Sequence, residues 1–78
     1  MNNNMEQELI KIASEHLDIE FLTPDSDLFD ICIYDYMEFV GIIMLIEESF
    51  EVDLEKYDIE DIKTIKQISH IIQNKNEA

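Results

Sequence analysis

Two histidines, one cysteine, four serines and 19 carboxylates are the side chains with which this sequence could do chemistry. Their spacing argues against most of it. His16 and His70 lie far apart on or near apolar stripes, and no Cys or His pair has the spacing of a metal site. Both histidines are therefore read as packing residues, and no metal ligand is assigned. Cys32 sits between Ile31 and Ile33 with no cation near it in sequence to lower its pKa. That fits a buried small hydrophobe better than a nucleophile. Ser14, Ser26, Ser49 and Ser69 fall in no nucleophile motif. Asp25-Ser26-Asp27 begins like a calcium loop but lacks the central Gly and a final Glu in register. Paired carboxylates would need a cleft, and a domain this small offers little of one. No catalytic residue is assigned, and the chain is not read as an enzyme.

The elements that would position these residues follow from apolar spacing. Met5, Leu9, Ile12, Ala13 and Leu17 form one helical stripe, which predicts a helix over about residues 4–17. Asn4 is placed as its cap, with Gln7 as the capping-box partner, after a frayed start at Asn2 and Asn3. Residues 18–34 read as a long connection, with a turn at Thr23-Pro24-Asp25-Ser26-Asp27. It carries many apolar residues, as a segment packed over a bundle would. Asp35 caps a second helix running to Phe50, with Glu38 as capping-box partner. This helix is apolar on more than one face, as a central helix is. Gly41 interrupts it at a propensity cost of about 1 kcal/mol. A short third helix is predicted near 56–62. Thr64 caps a fourth, with Gln67 as its box partner and Ile65, Ile68, Ile71 and Ile72 as its stripe. Asn74 to Ala78 reads as a polar, disordered tail. The fold class is all-α, an antiparallel four-helix bundle with a long connection between helices one and two. The 78 residues make a single domain with an ordered core of about 4–73.

Composition bounds what such a domain can bind. There are five lysines and no arginine, so the net charge is −14 and the pI is near 4.1. A nucleic-acid binder needs a basic footprint, so nucleic acid is excluded as a partner, as are anionic membrane surfaces. Leu, Ile, Val and Phe supply 26 of the 78 residues, well above the roughly 20% below which charged chains stay disordered. No apolar run reaches the ~18 residues of a membrane helix, and no signal peptide heads the chain. A cytoplasmic monomer is expected, with a basic partner. The charge is not spread evenly. Fifteen of the 19 acids and one lysine lie between Asp18 and Asp61, so this window holds the whole net charge. Such a field speeds encounter with basic surfaces.

Within that window, Leu28-Phe29-Asp30, Asp35 at the head of a helix, Glu47-Glu48-Ser49-Phe50 at its end and the later Thr64-Ile65 pair occur in order. In this order, and over nearly its whole length, the sequence resembles acyl carrier proteins. The spacing from Phe29 to Asp35 is similar to that of D-alanyl and other aminoacyl carriers as much as fatty-acid ones. The resemblance implies an Asp-Ser-Leu motif whose Ser carries 4′-phosphopantetheine at the start of the second helix. A helix N-terminus favours such a phosphodiester. Here the corresponding residues are Asp35, Tyr36 and Met37, so the cofactor-binding position falls on Tyr36. The tyrosine hydroxyl stands at the far end of a rigid ring, and no cofactor is expected on this chain.

Cys32 replaces the usual Gly before the motif, and Gly41 stands where many members carry a partner-binding Glu. Met37, Glu38, Met44, Glu47 and Glu48 match the family's recognition face. The resemblance thus implies a docking role toward basic surfaces of enzymes that activate, transfer or condense acyl or aminoacyl groups. Two alternatives are a genuine carrier altered at its attachment Ser and an unrelated helical interaction module.

Overall fold

The computed structural model describes residues 4–77. Helix α1 spans Asn4–Leu17, α2 spans Leu28–Ile31, α3 spans Tyr36–Phe50 and α4 spans Ile65–Glu77, with a single 3-10 turn at Ile59–Asp61. The expected all-α bundle is what forms. Helix α1 buries Leu9 and Ala13 and packs against both α3 and α4. From α3 come Phe39, Ile42, Ile43 and Ile46, and from α4 Ile65, Ile68 and Ile72. Each fully buried Leu or Ile contributes roughly 1.5–3 kcal/mol. Leu22, Leu28 and Leu54 reach the same core from the connections. No helix among the described residues is long and apolar enough to cross a membrane.

The long connection is not structureless. Asp27 accepts a hydrogen bond from Asp30 N at 2.9 Å and so starts the one-turn helix α2. Leu28 N donates to the Lys63 carbonyl at 2.7 Å and Lys66 N to the Pro24 carbonyl at 2.9 Å. These bonds tie the first connection to the head of α4. There the expected capping box is complete. Gln67 N donates to Thr64 Oγ1, and Gln67 Oε1 accepts from both Thr64 N and Lys63 N.

Four expectations are corrected. The third helix near 56–62 shrinks to the 3-10 turn, because one turn nucleates poorly and 3-10 spacing already sets Ile59 and Ile62 on one side. The tail expected from Asn74 continues as helix through Glu77, while Ala78 and the start at Asn2 and Asn3 lie outside the described residues. Asp35 occupies the N-cap of α3, but its side chain makes no capping bond, and Glu38 is drawn elsewhere. Of the two histidines read as packing residues, His16 packs, against Gly41 of α3, and His70 does not. His70 falls off the Ile65, Ile68 and Ile72 stripe of α4 and is exposed, and His16 lies across the surface of α3.

Candidate functional site

The head of α3 gathers the residues singled out from the sequence. Tyr36 is its first residue, directly after the N-cap Asp35. The Tyr36 ring lies 6.2 Å from Phe29 in an edge-on arrangement and 6.2 Å from Phe39, and Phe29 meets Phe39 edge-on at 5.3 Å. Edge-on aromatic pairs contribute about 0.5–1.5 kcal/mol beyond area burial. Helix α2 thus meets the ring through Phe29. Beside it Ile33, Tyr34 and Met37 are exposed, Tyr34 completely. Cys32 is buried beneath them. Burial pushes its thiol pKa up, and the Glu38 and Asp35 carboxylates add to the rise. It is a small buried packing group, as expected.

Along α3, helical geometry sets Met37, Gly41, Met44 and Glu48 on one face. Met37, Met44 and Glu48 are exposed there. Glu38 and Glu47 flank this face and are turned to other work. Glu38 Oε2 lies 3.2 Å from His16 Nε2 on α1. Glu47 Oε2 accepts from Leu54 N at 2.8 Å and pins the link that follows α3. Of the three acids expected to meet a partner, the structure leaves Glu48 free of such internal contacts. Between α3 and that link lies a cavity of about 270 Å3, lined by Tyr36, Phe39, Ile43, Met44, Leu54 and Ile62 among others. Tyr36 stands at its wall. No cluster of potential metal ligands occurs among the described residues.

Gly41 has a reason that its sequence position conceals. A Cβ there would stand 2.9 Å from His16 Nε2 and 3.0 Å from Cε1. The missing side chain makes room for the imidazole that engages Glu38. The only available signal was a lone helical glycine facing a histidine at the end of another helix's stripe. Gly41→Ala is expected to displace the His16 ring, the mobile end of a side chain, and free Glu38. The helix gains about 1 kcal/mol of propensity and loses a partly buried contact, in which Glu38 Oε2 is shielded from solvent, worth about 1 kcal/mol once the half-exposed Glu38 side chain turns to water. A urea melt should show unchanged or slightly raised stability. A loss above about 1 kcal/mol would mean that the ring cannot move aside.

The chain is 35% identical over 75 residues to the acyl carrier protein of Buchnera aphidicola subsp. Acyrthosiphon pisum (strain 5A), covering 94% of each chain. It is 33% identical over 76 residues to the acyl carrier protein of Buchnera aphidicola subsp. Schizaphis graminum, covering 95% of this chain and 96% of the relative. The chain belongs to the acyl carrier protein family. The acyl carrier protein of Syntrophobacter fumaroxidans is 31% identical over 74 residues, with 91% of each chain covered. No family model matches the sequence, and no solved structure matches it significantly. Acyl carrier proteins are carriers rather than enzymes, which agrees with the absence of a nucleophile motif.

Proposed function

We propose that this acyl carrier protein homologue works as a docking module for enzymes that handle acyl or aminoacyl thioesters, and that it does so without a phosphopantetheine arm. The observation that carries the reading is the exposed α3 face of Met37, Met44 and Glu48, headed by Tyr34 and Tyr36 and set within the window that holds the whole −14 charge. Apolar and aromatic anchors ringed by one sign of charge suit a partner with a basic rim around an apolar pocket.

The residues at the head of α3 do not suit the arm. Attachment in the family requires a serine oxygen close to the helix backbone. Tyr36 offers its oxygen at the tip of a ring that Phe29 and Phe39 hold from two sides. No step through the arm is assigned to this chain.

Calorimetric titration against a ketosynthase or an aminoacyl-activating ligase that recognises carrier proteins tests the reading. Binding should weaken as salt rises. Glu48→Lys should lower affinity about tenfold and flatten the salt dependence, while Met44→Ala should weaken binding without changing that slope. Binding that is indifferent to both substitutions and to salt would exclude docking through this face.

A further inference from the structure

His16 belongs to α1, yet its ring lies against the exposed face of α3. A Cβ at Gly41 would stand 2.9 Å from His16 Nε2, and Gly41 shares that face with Met37, Met44 and Glu48. The same nitrogen stands 3.2 Å from Glu38 Oε2. That oxygen is closed to water and has no hydrogen-bond partner among the described residues. The Glu38 side chain as a whole is 42% exposed, so the carboxylate is open on one side and covered on the other. An acceptor that has lost its water without gaining a donor is unfavourable, which makes the covered arrangement easy to leave. The core does not depend on it. Helix α1 is anchored by Leu9 and Ala13, whereas His16 lies in its last turn, one residue before the helix stops at Leu17. Helix ends open locally without unfolding the whole domain.

We infer that, in the docking role proposed above, His16 is a brake on the α3 face: its ring covers one oxygen of Glu38, and a partner's arginine must push it aside before taking both. Arginine binds a carboxylate best through two parallel N–H donors, and a half-covered carboxylate offers it a single acceptor. A lysine, as a point charge, has less to gain from the second oxygen. Met37 directly precedes Glu38 and is 71% exposed. An arginine that took Glu38 would therefore sit beside an apolar anchor, at the rim where charges set encounter rate and register. The brake thus bears on the partner's basic rim and leaves the apolar contacts untouched.

A double-mutant cycle of His16→Ala and Glu38→Gln tests this, by calorimetric titration against a ketosynthase that recognises carrier proteins, with Glu48→Lys as the control for docking itself. His16→Ala should bind about fivefold tighter and with a steeper salt dependence. Glu38→Gln alone should stay within about twofold of the unsubstituted chain, and the double variant should show no gain. Alanine favours the helix at this exposed position, so the fold is kept. A gain that survives Glu38→Gln would mean that His16 acts through its own charge or bulk, and the brake would be overturned. No gain in His16→Ala, while Glu48→Lys still weakens binding, would overturn the brake and leave the docking role standing. If Glu48→Lys is without effect as well, the docking role falls and the brake with it. The free chain gives an independent reading: Glu38→Gln should shift the imidazole nitrogen resonances of His16. Resonances that do not move would mean that ring and carboxylate are not in contact, and would overturn the inference with no partner present.

Discussion

Incubated with coenzyme A and a broad-specificity phosphopantetheinyl transferase, Tyr36→Ser is expected to gain the mass of one phosphopantetheine, and the unsubstituted chain none. The difference is geometric. A transferase that aligns a serine oxygen with the coenzyme A phosphate finds the tyrosine oxygen several ångströms away, and about 1 Å of misplacement already costs roughly 10²-fold in rate. Phe29 and Phe39 flank the ring, and in any rotamer the tyrosine oxygen stays at the ring's far end. Serine in its place leaves Phe29 and Phe39 in mutual contact at 5.3 Å and puts a hydroxyl at the first turn of α3, where backbone N–H groups point outward. Intact-protein mass spectrometry reads the gain, and a digest places it on the peptide containing position 36. A gain by the unsubstituted chain would overturn the argument about Tyr36. No gain by Tyr36→Ser would mean that the other departures, Cys32, Met37 and Gly41, also remove the transferase's footing. The reading as a carrier altered at one residue would then fall.

How much of this was legible in the sequence differs from element to element. Helices α1 and α4 were, because each carries a single apolar stripe and α4 carries the Thr64–Gln67 box that the fold completes. The connections were not. Helix α2 depends on one Asp27 cap and on docking against the head of α4, a contact between residues far apart in the chain. The site was half legible. Asp35, Tyr36 and Met37 sit at the head of α3 as the pattern requires. Glu38 and Glu47, which look equivalent to Glu48 in sequence, are claimed by His16 and by Leu54 N. Only the approach of α1 and of the later link decides that, and no spacing rule along α3 contains it.

Helix α3 makes the same point in energy. Val40, Ile42, Ile43, Leu45 and Ile46 look alike in sequence, yet Ile46 is fully buried while Leu45 is 40% exposed. Ile46→Ala is expected to cost about 2–5 kcal/mol, the lost burial plus the cavity left in a close-packed interior. Leu45→Ala should stay within about 1 kcal/mol, since the side chain buries less and alanine improves helix propensity. A small domain has about 5–15 kcal/mol in total, and the single Cys32 leaves no intramolecular disulfide to support it. Self-repulsion from a net charge of −14 lowers that margin further at low ionic strength. Ile46→Ala should therefore be partly unfolded in low salt and recover in moderate salt, whereas Leu45→Ala should remain folded in both. Urea melts at two salt concentrations, followed by helical circular dichroism, measure this directly. Equal losses for the two substitutions would mean that α3 is buried on both sides, and the exposed face on which partner docking depends would not exist.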